Sequence, residues 1–124
     1  MTLLPGRWAV CRLAADEAVP AWASAPASVV AIVRTSTELS IVAPEACVPD
    51  GVLAERGFRV LEVAGPIPFE TTGVIASIAG PLAAAGVSLF PLGTYDTDYV
   101  LVKDTDLDRA VDALTAADWT IDLS

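Results

Sequence analysis

Residues 71–103, TTGVIASIAGPLAAAGVSLFPLGTYDTDYVLVK, decide the fold of this chain. No charge falls between Thr71 and Tyr95, and Val74, Ile75, Ile78, Leu82 and Ala85 recur there at the spacing of one helical face. Thr71 or Thr72 is placed to cap that helix and Gly86 to end it. Pro81 should kink it, since proline removes one backbone hydrogen bond and crowds the preceding turn. Val87–Leu92 and Tyr99–Lys103 then read as two strands joined through the acidic tip GTYDTD. Pro91 cannot donate to a ladder, which puts its strand at a sheet edge or a bulge. The uncharged run is long enough to cross a bilayer. Its alanines, its two prolines, its four glycines and the lack of basic or aromatic anchors fit a buried helix and strand instead.

Working outward, Phe58–Ala64 is a strand, GPIPFETTG (residues 65–73) a loop, Asp104–Ala116 a helix with Leu107, Ala110, Val111 and Leu114 on one face, and Trp119–Leu123 a closing strand. From Phe58 the order is βαββαβ. Upstream, Arg7–Leu13 reads as a strand, the stretch through Pro20, Trp22 and Pro26 as irregular or briefly helical, and Ser28–Thr35 with Glu38–Val42 as a hairpin. A short helix from Asp50, closed by Gly57, is expected before Phe58. The two hairpins overlay with a one-residue gap that pairs Thr35 with Thr94 and Glu38 with Asp98, so a duplication with a period near 60 residues is expected. The expected fold class is α+β, with two ferredoxin-like units over residues 1–57 and 58–124. Each has an antiparallel sheet with helices on one face, and the first is irregular.

Composition narrows the function. Sixteen acidic against seven basic residues give a net charge of −9, which repels nucleic-acid phosphates and anionic membrane surfaces. The absence of His removes the usual general base, the usual metal ligand and the His-dependent nucleophile pairs. Cys11 and Cys47 make no metal or disulfide pattern and read as reduced, buried, small apolar residues. Together with an N-terminus unlike a signal peptide, they suit a cytoplasmic protein. DTDLD, residues 104–108, lacks the glycine and the final acid of a calcium loop, and there is no phosphate-binding loop or nucleophile elbow. Asp96 and Asp98 read as solvated turn acids rather than an acid–base pair. The expectation is a non-enzymatic chain without cofactor or metal.

The loop GPIPFETTG leads into a helix N-terminus, where free backbone N–H groups and the helix dipole favour a carboxylate, and Gly73 leaves that backbone open. Asp98, with carbonyls along Ser88–Phe90, can hold an ammonium or guanidinium, and Tyr95 or Phe69 can cover an aliphatic stem. An anion site beside a cation site describes an amino acid. The other reading is that Thr94 and Asp96 only close a turn while Phe69 fills core.

Residues 65–107 strongly resemble the ACT-domain signature of small bacterial tandem-ACT proteins, and RTSTELSIVAPEACVP resembles the upstream segment of that family. The same signature occurs in cytosolic arginine sensors of the CASTOR type. The resemblance implies two ACT units, no catalysis, and an amino acid held where two units meet, here across a homodimer. The positions it marks are Pro68, Phe69, Thr71 and Gly73 in the loop, with Thr72 beside them, Ser88 and Leu89 on the edge strand, and Thr94, Tyr95 and Asp98 at the tip. Pro68 stands where the arginine-binding unit has Gly, and Thr71 where it has an acid. Asp98 and the net charge still favour a cationic group. The alternative is a structural or partner-binding dimer with a vestigial pocket.

Overall fold

The computed structural model describes residues 1–68 and 71–123. In chain order its elements are β1 (Thr2–Leu3), β2 (Trp8–Leu13), β3 (Ala31–Arg34), β4 (Leu39–Pro44), β5 (Ala54–Glu62), α1 (Val74–Ala84), β6 (Phe90–Gly93), β7 (Asp98–Lys103) and α2 (Leu107–Ala116). They fall into two compact units, Gly6–Phe58 on one hand and Met1–Pro5 with Arg59–Ser124 on the other. The long strand β5 therefore gives its first residues to one unit and its last four to the other.

In the unit that begins at Arg59, the strands lie in the order β6, β7, β5, β1, and β6 pairs antiparallel with β7 from Phe90↔Leu101 to Gly93↔Asp98. Helices α1 and α2 pack on one face. Ile78 and Leu82 of α1 and Ala110 and Leu114 of α2 are wholly buried against Leu61, Val63, Val100 and Val102. Fully burying a leucine or isoleucine of this kind contributes about 1.5–3 kcal/mol. The helices form where the apolar spacing places them, and the strand–helix–strand–strand–helix order is ferredoxin-like. Pro91 sits on the edge strand.

Trp119–Leu123 is not a full strand: it makes a single parallel bridge, Asp122 to Thr2. The place beside β5 is taken by β1, which pairs antiparallel with Leu61–Glu62 and ties down the C-terminal segment through Leu3 N–H to Asp122 O (2.8 Å) and Asp122 N–H to Met1 O (2.7 Å). The helix cap is neither Thr71 nor Thr72 but Gly73, at φ 81°, with no side-chain cap bond. Pro81 lies inside α1, which runs on to Ala84. The carbonyl that Pro81 leaves without an N–H partner, Ser77 O, accepts the Trp119 indole N–H at 3.2 Å. Gly86 ends the helix as expected, at φ 73°, with Val87 N–H closing on Leu82 O at 2.9 Å.

In the unit Gly6–Phe58 the order is β3, β4, β2 and the first part of β5. In the stretch through Pro20, Trp22 and Pro26 the chain makes only a short 3-10 turn, Ala21–Ser24, and a second such turn, Glu45–Cys47, follows β4. Prolines at 20, 26, 44 and 49 limit helix length, and the core they cover is small-residued: Ala9, Cys11, Ala23 and Ala43 with Leu39, Ile41 and Val48. Cys11 is buried, whereas Cys47 is half-buried; both are free thiols. The short helix expected from Asp50 is absent. Ala54–Arg56 belong to β5, and Gly57, at φ 80°, is not a helix cap but part of a bulge where the β2–β5 register shifts. Its N–H donates to Glu45 Oε1 at 2.7 Å.

The two hairpins correspond without a gap. β3, β4 and the turn at Glu45 begin at residues 31, 39 and 45, and β6, β7 and the turn at Asp104 begin 59 residues later, at 90, 98 and 104. Thr35 N–H bonds Glu38 O at 2.8 Å as Thr94 N–H bonds Thr97 O at 2.8 Å. Thr94 therefore answers to Thr35, but Asp98 answers to Leu39 rather than to Glu38.

Candidate functional site

The acidic tip is a turn built by Thr94. Its hydroxyl donates to Thr97 O at 2.9 Å and accepts from Thr97 N–H at 3.1 Å, closing Tyr95 and Asp96 into the bend. The chain that leaves β5 is laced along this tip. Val63 N–H donates to Asp98 O (3.0 Å) and Ile67 N–H to Asp96 O (2.7 Å). The Thr97 hydroxyl donates to Val63 O (2.8 Å). Gly65 is required for so close an approach, because a Cβ there would lie 3.0 Å from Thr97 Cβ and 3.3 Å from Asp96 O.

Beyond Ile67 the chain reaches Gly73 and turns into α1, and the start of that helix faces the tip across a cleft of about 370 Å³. Pro68, Thr71, Gly73, Thr94, Tyr95 and Asp98 line this cleft, so six positions marked in the sequence are brought together. Thr72, Ser88 and Leu89 are not on its walls: Ser88 is exposed and Leu89 packs against the core. Phe69 lies outside the described residues. The walls also include Ile67, Val74, Ile75, Ala76, Asp96 and Thr97, which sequence reasoning passed over. For Val74–Ala76 a signal existed, since the first turn of a helix must border whatever its N-terminus faces.

Asp96 and Asp98 are the charged side chains of the cleft wall among the described residues, and no Lys or Arg lines it. One side thus offers carboxylates, which favour a cation, and the other the positive end of a helix dipole, which favours an anion. Ile67, Val74 and Ile75 supply apolar surface between them. Tyr95, 81% exposed, stands at the rim. Nearby, burial raises the Tyr99 phenol above its ordinary pKa, and a hydrogen bond to Glu62 and the charges of Glu62 and Asp96 add to the rise. A second cleft, of about 290 Å³, lies in the unit Gly6–Phe58 and mixes Arg12 with Glu38 and Glu55. No group of three or more His, Cys, Asp or Glu among the described residues is arranged to hold a metal ion. No helix among them is long and apolar enough to cross a membrane.

The profile of the ACT domain family matches residues 53–116. The chain belongs to the ACT domain family. A separate N-terminal-domain profile matches residues 6–51, so the ACT match covers β5 through α2 and not the first hairpin. Over 58 residues this ACT chain is 36% identical to the rat cytosolic arginine sensor for mTORC1 subunit 1 and 34% identical to the human one. That match takes in 46% of the chain and only 18% of either relative. Among solved structures, one from Agrobacterium tumefaciens is 36% identical, with a TM-score of 0.93 over 99% of this chain and 91% of that one. The aspartate kinase of Clostridium acetobutylicum shares the fold alone, with a TM-score of 0.65 at 14% identity over 90% of this chain and 32% of the kinase.

Proposed function

We propose that this ACT chain is a non-enzymatic regulatory module that binds a small molecule, an amino acid, in the cleft between the start of α1 and the tip Thr94–Asp98. The observation that carries the reading is the pairing, across one cleft, of a helix N-terminus with the carboxylates of Asp96 and Asp98. A zwitterion presents its carboxylate to the first and its cationic group to the second. Membership in a family of regulatory domains and likeness to an arginine sensor support the same reading. A Kd near 10 μM corresponds to about 7 kcal/mol, within reach of one clamp at each end of the ligand.

In this reading the chain is an internal duplication of two ACT-type units, the second well formed, and it forms a homodimer. The 59-residue correspondence favours the duplication. It also indicates which edge associates. Pro91 has no N–H on the outer edge of β6, whereas the corresponding residue of β3 is Ile32, 44% exposed, with its N–H turned away from β4. Self-association is therefore expected through β3, and Ile32→Pro should shift a dimer to monomer in light scattering and remove the rise of Tm with protein concentration.

Thermal denaturation with each of the twenty standard amino acids at millimolar concentration tests the reading. Binding to the native state alone must raise Tm, by an amount that grows with ligand concentration. Asp98→Asn should abolish the shift. A flat response to all twenty would leave a structural or partner-binding role as the better account.

A further inference from the structure

We infer that Thr97 is a positioning residue, whose hydroxyl sets the two cleft carboxylates by fixing the strand exit Val63–Ile67 against the acidic tip. The inference rests on the amino-acid-binding reading above only where it concerns affinity.

The turn does not need this hydroxyl. Its internal bonds come from Thr94 Oγ1, and from Thr35 Oγ1 in the corresponding hairpin, where Glu38 occupies the place of Thr97 and the same i to i+3 bond forms. The Thr97 hydroxyl is instead directed out of the turn, to Val63 O at 2.8 Å, across 34 residues of sequence. On either side of Thr97 the backbone carbonyls of Asp96 and Asp98 accept from Ile67 and Val63 N–H, at 2.7 and 3.0 Å. Gly65, between those donors, leaves no room for a side chain against Thr97. The residues whose side chains charge the cleft are thus held by their main chains, and Thr97 lies at the centre of the lacing. Removing its hydroxyl leaves Val63 O, in a partly buried bond, without its donor. A threonine isostere keeps the packing, so the hydroxyl's role is separable from that of the methyl group.

The test is amide hydrogen exchange on the whole chain, read at Val63 and Ile67 and, as control, at the core residue Val102, in wild type, Thr97→Val and Thr97→Ser. Thr97→Val should speed exchange at Val63 and Ile67 by roughly tenfold and leave Val102 unchanged, while Thr97→Ser should stay within about twofold of wild type. Gly65→Ala strains the same contact from the other side and should speed the same two amides. Titration of each variant with the twenty standard amino acids singly should show Thr97→Val weakening whichever one binds wild type by roughly tenfold, with Thr97→Ser restoring it. Unchanged exchange at Ile67 in Thr97→Val, or equal acceleration at Val102, overturns the inference. So does wild-type affinity in Thr97→Val. Local acceleration at Val63 and Ile67, with no amino acid binding wild type, supports the placing of the carboxylates by Thr97 and sinks the binding reading instead.

Discussion

Pro81 has no N–H to give Ser77, and the indole of Trp119 takes its place. The bond lies near the surface, so its worth is at the low end for hydrogen bonds, about 0.5–1 kcal/mol. Trp119→Phe should lower stability by about that much plus a small packing loss in urea melts. In a Pro81→Ala background, where residue 81 can donate to Ser77 itself, the hydrogen-bond part of the loss should disappear. Tyr99 carries a different prediction. Its phenol is raised above 10.0, first by burial, then by its hydrogen bond to Glu62 and by the charges of Glu62 and Asp96. The folded state resists ionisation, so the associated stability is complete below pH 10 and is lost as pH rises through the higher folded value. Urea midpoints should fall above about pH 10, and Tyr99→Phe should remove that part of the fall. Burial likewise raises the Cys11 thiol above 9.0, only partly offset by the Arg56 charge, so a decline of the same sign should begin nearer pH 9.

At the scale of elements, left-handed backbone positions separate strain from packing. A Cβ on Gly57 would meet nothing within 4 Å, so the cost of Gly57→Ala is that of holding alanine at φ 80°, about 1–2 kcal/mol, rather than a clash. Denaturant melts should show that loss. Asp118, at φ 71°, follows α2 in the position glycine usually takes, and Trp119 N–H closes the turn on Leu114 O at 3.0 Å. Asp118→Gly should therefore stabilise, by up to about 1 kcal/mol. The same positions show where local sequence misleads. Gly57 after a run of helix-compatible residues reads as a helix end, because a cap and a bulge ask the same positive φ of the chain. Only pairing of Ala54–Glu55 with β2 decides between them. The strand expected at Trp119–Leu123 failed for a related reason: two segments compete for the flank of β5, and Thr2–Leu3 took it.

For the molecule as a whole, a charge of −9 on 124 residues implies self-repulsion. Raising ionic strength from about 10 mM to 500 mM, which shortens the screening length from roughly 30 to 4–5 Å, should raise Tm. A Tm that stays level or falls would show that the acids are already offset within the fold. The sequence by itself determined the unit from β5 to α2: its apolar spacing, its punctuation by Gly86 and Pro91 and the tip GTYDTD are local signals, and burial of one face rewards each of them separately. It also brought six of the ten marked positions to one cleft, since loop exits, helix starts and hairpin tips of such a unit must meet at the same end of its sheet. Tertiary structure alone decided which strand flanks β5, that the first unit closes with 3-10 turns in place of helices, and that Asp98 answers to Leu39. It alone showed Gly65 and Thr97 pressed together. Those outcomes depend on which distant groups win a shared neighbour, a competition between hydrogen-bond partners and packing volumes that no stretch of residues contains.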